Sequence, residues 1–112
     1  MGVQKEAGEL LAYIYNRYTQ DGKWIRRTDI ENETKWDTGR INRAIQYLRD
    51  LNLIKISVYL EDAGSPSYGF GIWGLTPQGI DIIENKQRFK SIFGFEIGIP
   101  GLLKFSWKGE KK

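Results

Sequence analysis

The sequence predicts a small α+β domain, in which three helices precede a two-stranded β-hairpin and a fourth helix follows it. Apolar residues recur at three- to four-residue spacing in the segments assigned to helices, and they alternate with polar residues in the segments assigned to strands. A further apolar segment follows the fourth helix, so we expect an additional C-terminal β-hairpin or an extended tail. The 112 residues can build one modest hydrophobic core and are too few for two.

The residue composition narrows the classes of function before any motif is considered. The chain contains no cysteine, which excludes disulfides, thiolate nucleophiles and Cys-containing metal sites. It contains no histidine either, so the commonest metal ligand and the commonest general base are missing. We therefore expect no enzyme, no metal and no cofactor. No apolar run reaches the roughly 18 residues of a membrane span, and we expect a cytoplasmic, nucleoid-associated protein with a net charge of +3.

Two helices are predicted before the best-defined one. The spacing of apolar residues predicts the first helix over Val3–Tyr18, and a short extended piece at most follows at Lys23–Arg26. Thr28 and Glu31 have the spacing of a capping box, in which each side chain bonds a free backbone amide of the first turn. We therefore expect the second helix to begin at Thr28.

The third helix carries the clearest signals at both ends. Asp37 is placed to cap it, with Trp36 and Ile41 on either side of the cap as a hydrophobic staple. Its predicted apolar face consists of Ile41, Ala44, Ile45, Leu48 and Leu51. Asn52 stands where the helix must stop, because asparagine tolerates the left-handed backbone conformation of a helix terminus.

A β-hairpin and a fourth helix are predicted next. Leu53–Leu60 and Tyr68–Leu75 alternate as strands, and the polar loop Glu61–Ser67 joins them. Thr76 and Pro77 provide an N-cap followed by proline at the first helical position, so a helix begins there. The apolar residues assigned to this helix are Ile80, Ile83 and Phe89.

The last segment of the chain is strongly apolar. Alternation in this segment involves Phe93, Phe95, Ile97, Ile99, Leu103, Phe105 and Trp107. A second hairpin over residues 91–107 is the plain interpretation, and an isolated hairpin so rich in apolar residues is marginal in water. We expect this segment to fold back on the domain, to pair with a second subunit, or to dock on another protein or a membrane surface. Helix 1 is the rival surface for a homodimer.

Three local patterns in the predicted order of elements carry a family resemblance. Ile30 precedes Ile41 by eleven residues, and Leu51-Asn52-Leu53-Ile54 follows the third helix. The sequence Leu75-Thr76-Pro77-Gln78-Gly79 introduces the fourth helix. These patterns resemble the winged helix-turn-helix domain of MarR- and PadR-like small transcriptional regulators, with Asn52 in place of the glycine of the family's Leu-Gly-Leu-Ile exit. The resemblance covers residues 3–89 and leaves residues 90–112 as an apolar C-terminal extension, a hairpin or dimerisation segment.

The resemblance implies sequence-specific binding of double-stranded DNA, with the third helix in the major groove and no chemistry on the DNA. The candidate base-reading residues are Thr38, Gly39, Asn42, Arg43 and Gln46, and the candidate phosphate contacts are Arg40, Arg49, Arg26 and Arg27. Arginine pairs with guanine, and asparagine or glutamine pairs with adenine. The segment Lys35–Arg49 contains four basic side chains and one acidic one, a local excess of +3.

The sequence also supports an alternative function, a protein–protein interaction module that uses the wing and the apolar tail rather than DNA. Polar residues on a helix surface are ordinary, and a fold does not fix a function. The predicted wing tip, Glu61–Ser67, contains two acids and no base, which departs from the pattern of DNA-binding wings. A homodimer through the C-terminal extension or helix 1 would suit a DNA regulator, because paired recognition helices match a palindromic site.

One motif is interpreted as structural. Gly69–Gly74 has the spacing GxGxxG, but it lies in a strand pattern with no βαβ unit, so its glycines permit a twisted or bulged strand rather than nucleotide binding. Six aromatic residues could stack on the bases of single strands, although core packing is the default: Trp24, Trp36, Tyr59, Tyr68, Phe70 and Trp73. We expect Trp36 and Trp73 to pack inside, and Tyr59 and Tyr68 to be the exposed pair.

Overall fold

The computed structural model describes residues 2–59 and 68–97, and the structural statements below concern these two ranges. Five helices and one three-stranded antiparallel sheet form within them, which confirms the predicted α+β class. The elements in chain order are α1 (Val3–Gln20), β1 (Ile25–Arg26), α2 (Arg27–Thr34), α3 (Thr38–Asp50), β2 (Ile54–Val58), β3 (Phe70–Leu75), α4 (Pro77–Ile83) and α5 (Lys86–Phe93).

Helix α1 lies at the centre of the core. Helices α3, α4 and α5 and strand β3 all pack against it, and Leu10, Leu11 and Ile14 are completely buried. Gly8 permits the close approach of α5, because a Cβ atom there would lie 2.8 Å from Cβ of Phe93. The apolar face of α1 is thus covered within the chain. The expectation that helix 1 offers a dimer surface is not supported by this packing.

Helix α2 begins one residue before the predicted capping box. The Arg26 backbone amide donates to Oδ2 of Asp29 at 2.9 Å, and Thr28 is exposed in the first helical turn. The prediction of a box formed by Thr28 and Glu31 is wrong, since the Asp29 carboxylate reaches the free amide that precedes the helix. The helix ends at Thr34, and the next residue, Lys35, has a left-handed φ of 62°.

Helix α3 has the predicted cap, buried face and end. The Asp37 side chain accepts a hydrogen bond of 2.8 Å from the Arg40 amide, which satisfies an amide that the helix itself leaves free. Trp36 and Ile41 are both buried, as a staple requires. Asn52 adopts the left-handed conformation with φ 59° immediately after the helix, which confirms the predicted stop.

The sheet has the strand order β1-β3-β2. Strands β2 and β3 form the predicted antiparallel hairpin, and the short extended piece pairs with the other edge of β3, with Ile25 opposite Ile72. Lys55 lies opposite Gly74 and Ile56 lies opposite Ile72, so Trp73 is an extra residue in β3. The glycine-rich strand therefore contains a β-bulge, as predicted. The loop Glu61–Ser67 lies outside the described residues.

The predicted fourth helix is two helices. Helix α4 ends at Ile83, and Asn85 begins α5 by accepting a hydrogen bond of 3.1 Å from the Arg88 amide. The prediction of one continuous helix is wrong because the Asn85 side chain offers the backbone a competing hydrogen bond, which favours a new N-terminus. The break allows Ile83 and Phe89 both to reach the core.

A strand that begins at position 91 is not formed. Residues 91–93 are the last turn of α5, Phe93 is buried, and Gly94 ends the helix with a left-handed φ of 83°. The hairpin prediction is wrong here because Phe89 and Phe93 have the four-residue spacing of a helix, which the alternation from Phe93 onward obscured. Helix α5 crosses position 90, so the core continues into the predicted C-terminal extension. Residues 98–112 of that extension lie outside the described residues.

The exit of α3 and the entry to α4 meet at one junction. The Thr76 hydroxyl donates to the Asn52 carbonyl at 2.8 Å and accepts from the Gly79 amide at 3.0 Å. The Thr76 amide donates to the Leu53 carbonyl at 3.0 Å. A Cβ atom at Gly79 would lie only 2.2 Å from the Leu53 carbonyl oxygen, so only glycine fits this position without movement of the backbone.

We expect Gly79→Ala to lower the free energy of unfolding by about 1–3 kcal/mol, because the methyl group overpacks the junction. Gly39→Ala is the matched control, since its Cβ atom meets only the Nη1 end of the flexible Arg43 side chain, at 3.1 Å. The control should be neutral or stabilising by up to about 1 kcal/mol, through helix propensity. Urea unfolding measures the free energy of unfolding of both variants. Equal effects of the two substitutions would contradict the conclusion that the junction requires glycine at position 79.

Candidate nucleic-acid interface

The outward face of α3 is held in place by its buried face. Ile41, Ala44, Ile45 and Leu48 are fully buried against the core, so the opposite side of the helix points away from it. Arg43, Gln46 and Arg49 are exposed there. Thr38, Gly39 and Asn42 are partly buried. We call the surface formed by Thr38, Gly39, Asn42, Arg43, Gln46 and Arg49 the α3 face.

Gln46 is the one exposed base-reading candidate with a hydrogen bond along its own helix. Its Nε2 donates to Oδ1 of Asp50 at 2.8 Å. Both side chains are exposed, so this bond competes with water and is weak. Gln46 can exchange Asp50 for an external partner at low cost.

Arg40 connects α3 to α1 instead of extending freely into solvent. Its Nε donates to Oε2 of Glu6 at 2.9 Å, and its guanidinium stacks over the Trp36 ring at 4.7 Å. A depression of about 510 Å³ lies beside this ion pair, lined by Gly2, Val3, Glu6, Asp37, Arg40 and Arg43. Since Glu6 and Asp37 both line it, an anion there meets two carboxylates as well as two guanidinium groups.

Arg27 departs from its predicted place on the surface. Only 6% of the residue is exposed, and its guanidinium stacks on the rings of Tyr68 and Phe70 at 4.8 and 5.1 Å. The Nε group donates to the Tyr68 carbonyl and Nη2 to Oδ1 of Asn42, each at 2.5 Å. Burial lowers the pKa of Arg27. As placed, Arg27 joins α2, α3 and the end of the hairpin, so the prediction that it contacts phosphate is corrected.

We expect Arg27→Lys to lower the free energy of unfolding by about 1–3 kcal/mol, because a lysine ammonium cannot reproduce two directed bonds and planar stacking. Arg26→Lys is the matched control at the neighbouring position, where the side chain is exposed. It should change stability by less than about 0.5 kcal/mol. Urea unfolding measures the free energy of unfolding of both variants. If Arg27→Lys is as stable as the control, the guanidinium hydrogen bonds do not contribute to the stability of the fold.

Two of the candidate stacking residues form an aromatic surface beside β3, where core packing was the default expectation. Trp24 is 48% and Trp73 is 39% exposed, and their ring centroids lie 5.3 Å apart. Trp36 is buried and Tyr59 exposed, as predicted, but the prediction that Trp73 packs inside is wrong, because the bulge at Trp73 shifts the alternation of β3. Tyr68 is only partly exposed. The sequence feature that corresponds to this arrangement is Gly71, because the Trp24 ring lies where a side chain at position 71 would be.

Two kinds of feature are absent from the described ranges. No helix within residues 2–59 or 68–97 has the length and apolar character needed to cross a membrane. No group of three or more potential metal-ligating side chains is suitably placed in these ranges.

Comparisons with known proteins identify no relative. The chain matches no protein-family model. It has no significant match among curated proteins or among solved structures.

Proposed function

We propose that this chain is a winged helix-turn-helix protein that binds double-stranded DNA sequence-specifically and regulates transcription, with α3 as its recognition helix. The observation that carries the proposal is the division of α3 into two faces. One face is completely buried, and the other presents Arg43, Gln46 and Arg49 to solvent. The order of the first four elements and the hairpin β2–β3 supports the same fold family.

In this proposal the α3 face reads bases and the surrounding cations neutralise phosphates. Arg43 is suited to bidentate pairing with guanine and Gln46 to pairing with adenine. Thr38 and the free amides at the start of α3 are suited to a phosphate. Arg49 and Arg26 are exposed and supply further phosphate contacts. Asn42, which accepts a hydrogen bond from the buried Arg27, is held in a fixed orientation at the edge of this face.

The α3 face also determines how binding depends on salt. Each phosphate contact releases condensed counterions, so the affinity for DNA falls steeply as the salt concentration rises. An apolar protein interface has no such dependence. Salt titration therefore separates DNA binding from the alternative, an interaction module built on the wing tip and the tail, most of whose residues lie outside the described ranges.

We expect the double variant Arg43→Ala/Gln46→Ala to bind a labelled random-sequence duplex roughly tenfold more weakly, and Arg49→Ala, which removes a proposed phosphate contact, to lower the salt slope by about one. Fluorescence anisotropy at several salt concentrations measures both quantities. Lys86→Ala/Gln87→Ala is the matched control, because it removes one cation and one amide from exposed positions of α5. The proposal fails if the unaltered protein does not bind at low salt, or if the two double variants behave alike.

We expect Gly39→Ala to weaken duplex binding although it leaves the protein at least as stable. Gly39 lies in the first turn of α3, where the absence of a side chain permits close approach of the backbone to a phosphate. The added methyl group would occupy that space. The affinity for the duplex and the midpoint of urea unfolding are measured for the same variant. An unchanged affinity would show that the first turn of α3 does not approach DNA.

A further inference from the structure

The outer face of the sheet, opposite the core, is a second exposed surface and carries basic side chains. Ile25, Ile54 and Ile72 are buried on the core side of the three strands. Successive side chains of a strand point to opposite sides, so Arg26 and Lys55 lie on the outer side. Both are exposed.

Two tryptophans form a platform on this outer face. The Trp24 ring lies over Gly71, where a Cβ atom would be 2.5 Å from its Cε3, so a side chain at position 71 would displace the ring. Trp73 lies beside it with an interplanar angle of 32°. The 5.3 Å between the ring centroids leaves no room for a third ring between them. A ligand must therefore stack on their solvent-exposed sides.

Two cations flank the platform on the neighbouring strands. Arg26 is the cross-strand partner of Gly71, and Lys55 is the partner of Gly74, next to Trp73. The three strands contain no acidic residue. Within the described ranges, neither Arg26 nor Lys55 belongs to an ion pair. The ligand that complements this face is thus planar and aromatic in one part and anionic in another.

We propose that this face, with Trp24 and Trp73 as the stacking platform and Arg26 and Lys55 as phosphate contacts, binds single-stranded nucleic acid. Unpaired bases stack on aromatic side chains, and a flanking cationic surface follows the sugar–phosphate backbone. Bases inside a duplex are already stacked on one another and cannot use the indole faces. None of these four residues belongs to the α3 face, and Arg26 is the one residue that both proposals use, so this inference does not rest on the proposed duplex binding.

The experiment is fluorescence anisotropy of a labelled oligo(dT), a strand that cannot pair with itself, titrated with the full chain. We expect Trp73→Leu, which keeps an apolar side chain but removes the aromatic ring, to weaken binding roughly tenfold. Trp73→Phe should retain most of the affinity, because an aromatic face remains. Lys55→Ala should lower the salt slope, whereas Lys86→Ala on α5 should leave it unchanged.

The two nucleic-acid surfaces are separated by running the same variants against oligo(dT) and the random-sequence duplex. We expect Trp73→Leu to weaken only oligo(dT) binding, and Arg43→Ala/Gln46→Ala to weaken only duplex binding. The platform is overturned if oligo(dT) does not bind at low salt, or if Trp73→Leu binds as well as Trp73→Phe. It is also overturned if Arg43→Ala/Gln46→Ala weakens both ligands equally, because α3 would then account for both. The two results with oligo(dT) alone are independent of whether the duplex binds.

Discussion

Burial of α1 is the constraint on which the other elements depend. A chain of this size has one core, and α1 supplies the surface against which α3, α4, α5 and β3 all pack. Leu10, Leu11 and Ile14 have no exposed surface, and Gly8 lets α5 approach closely. Since the inner faces of the other helices are directed at α1, their outer faces are determined by the same packing. The polar side of α3 faces solvent because its apolar side is buried against α1.

In addition to the packing of its buried face, helix α3 is held by two polar contacts along its length and by a third just beyond its end. At its start, Arg40 bonds Glu6 of α1, and in the middle Arg27 of α2 bonds Asn42. Beyond its end, the Thr76 hydroxyl bonds the Asn52 carbonyl. These contacts come from three different elements, so rotation of α3 would break all of them together. A helix fixed in this way presents its exposed side chains in a constant arrangement, as a recognition surface requires.

The two candidate surfaces differ in the kind of nucleic acid that their chemistry suits. The α3 face offers directed hydrogen-bond donors on a convex helix, which is the shape and chemistry that a major groove accommodates. The outer face of the sheet offers flat indole rings with cations beside them, which suits bases that are not paired. Arg26 is adjacent to both α2 and the platform, since it ends β1 immediately before α2 begins. In the two proposals Arg26 is shared, and the other contact residues differ.

Features that depend on short-range interactions could be predicted from the amino-acid sequence. The Asp37 cap and the left-handed Asn52 are set by neighbouring residues and were predicted correctly, as was the α+β class. The bulge in β3 depends on its pairing with β2 and was one of two predicted alternatives. Tertiary structure alone decided where Arg27 and Trp73 lie and that Phe93 ends a helix inside the core. The physical reason is that burial depends on which distant elements pack together. Arg27 is buried by Tyr68 and Phe70, some forty residues away, and no local pattern around position 27 contains that information.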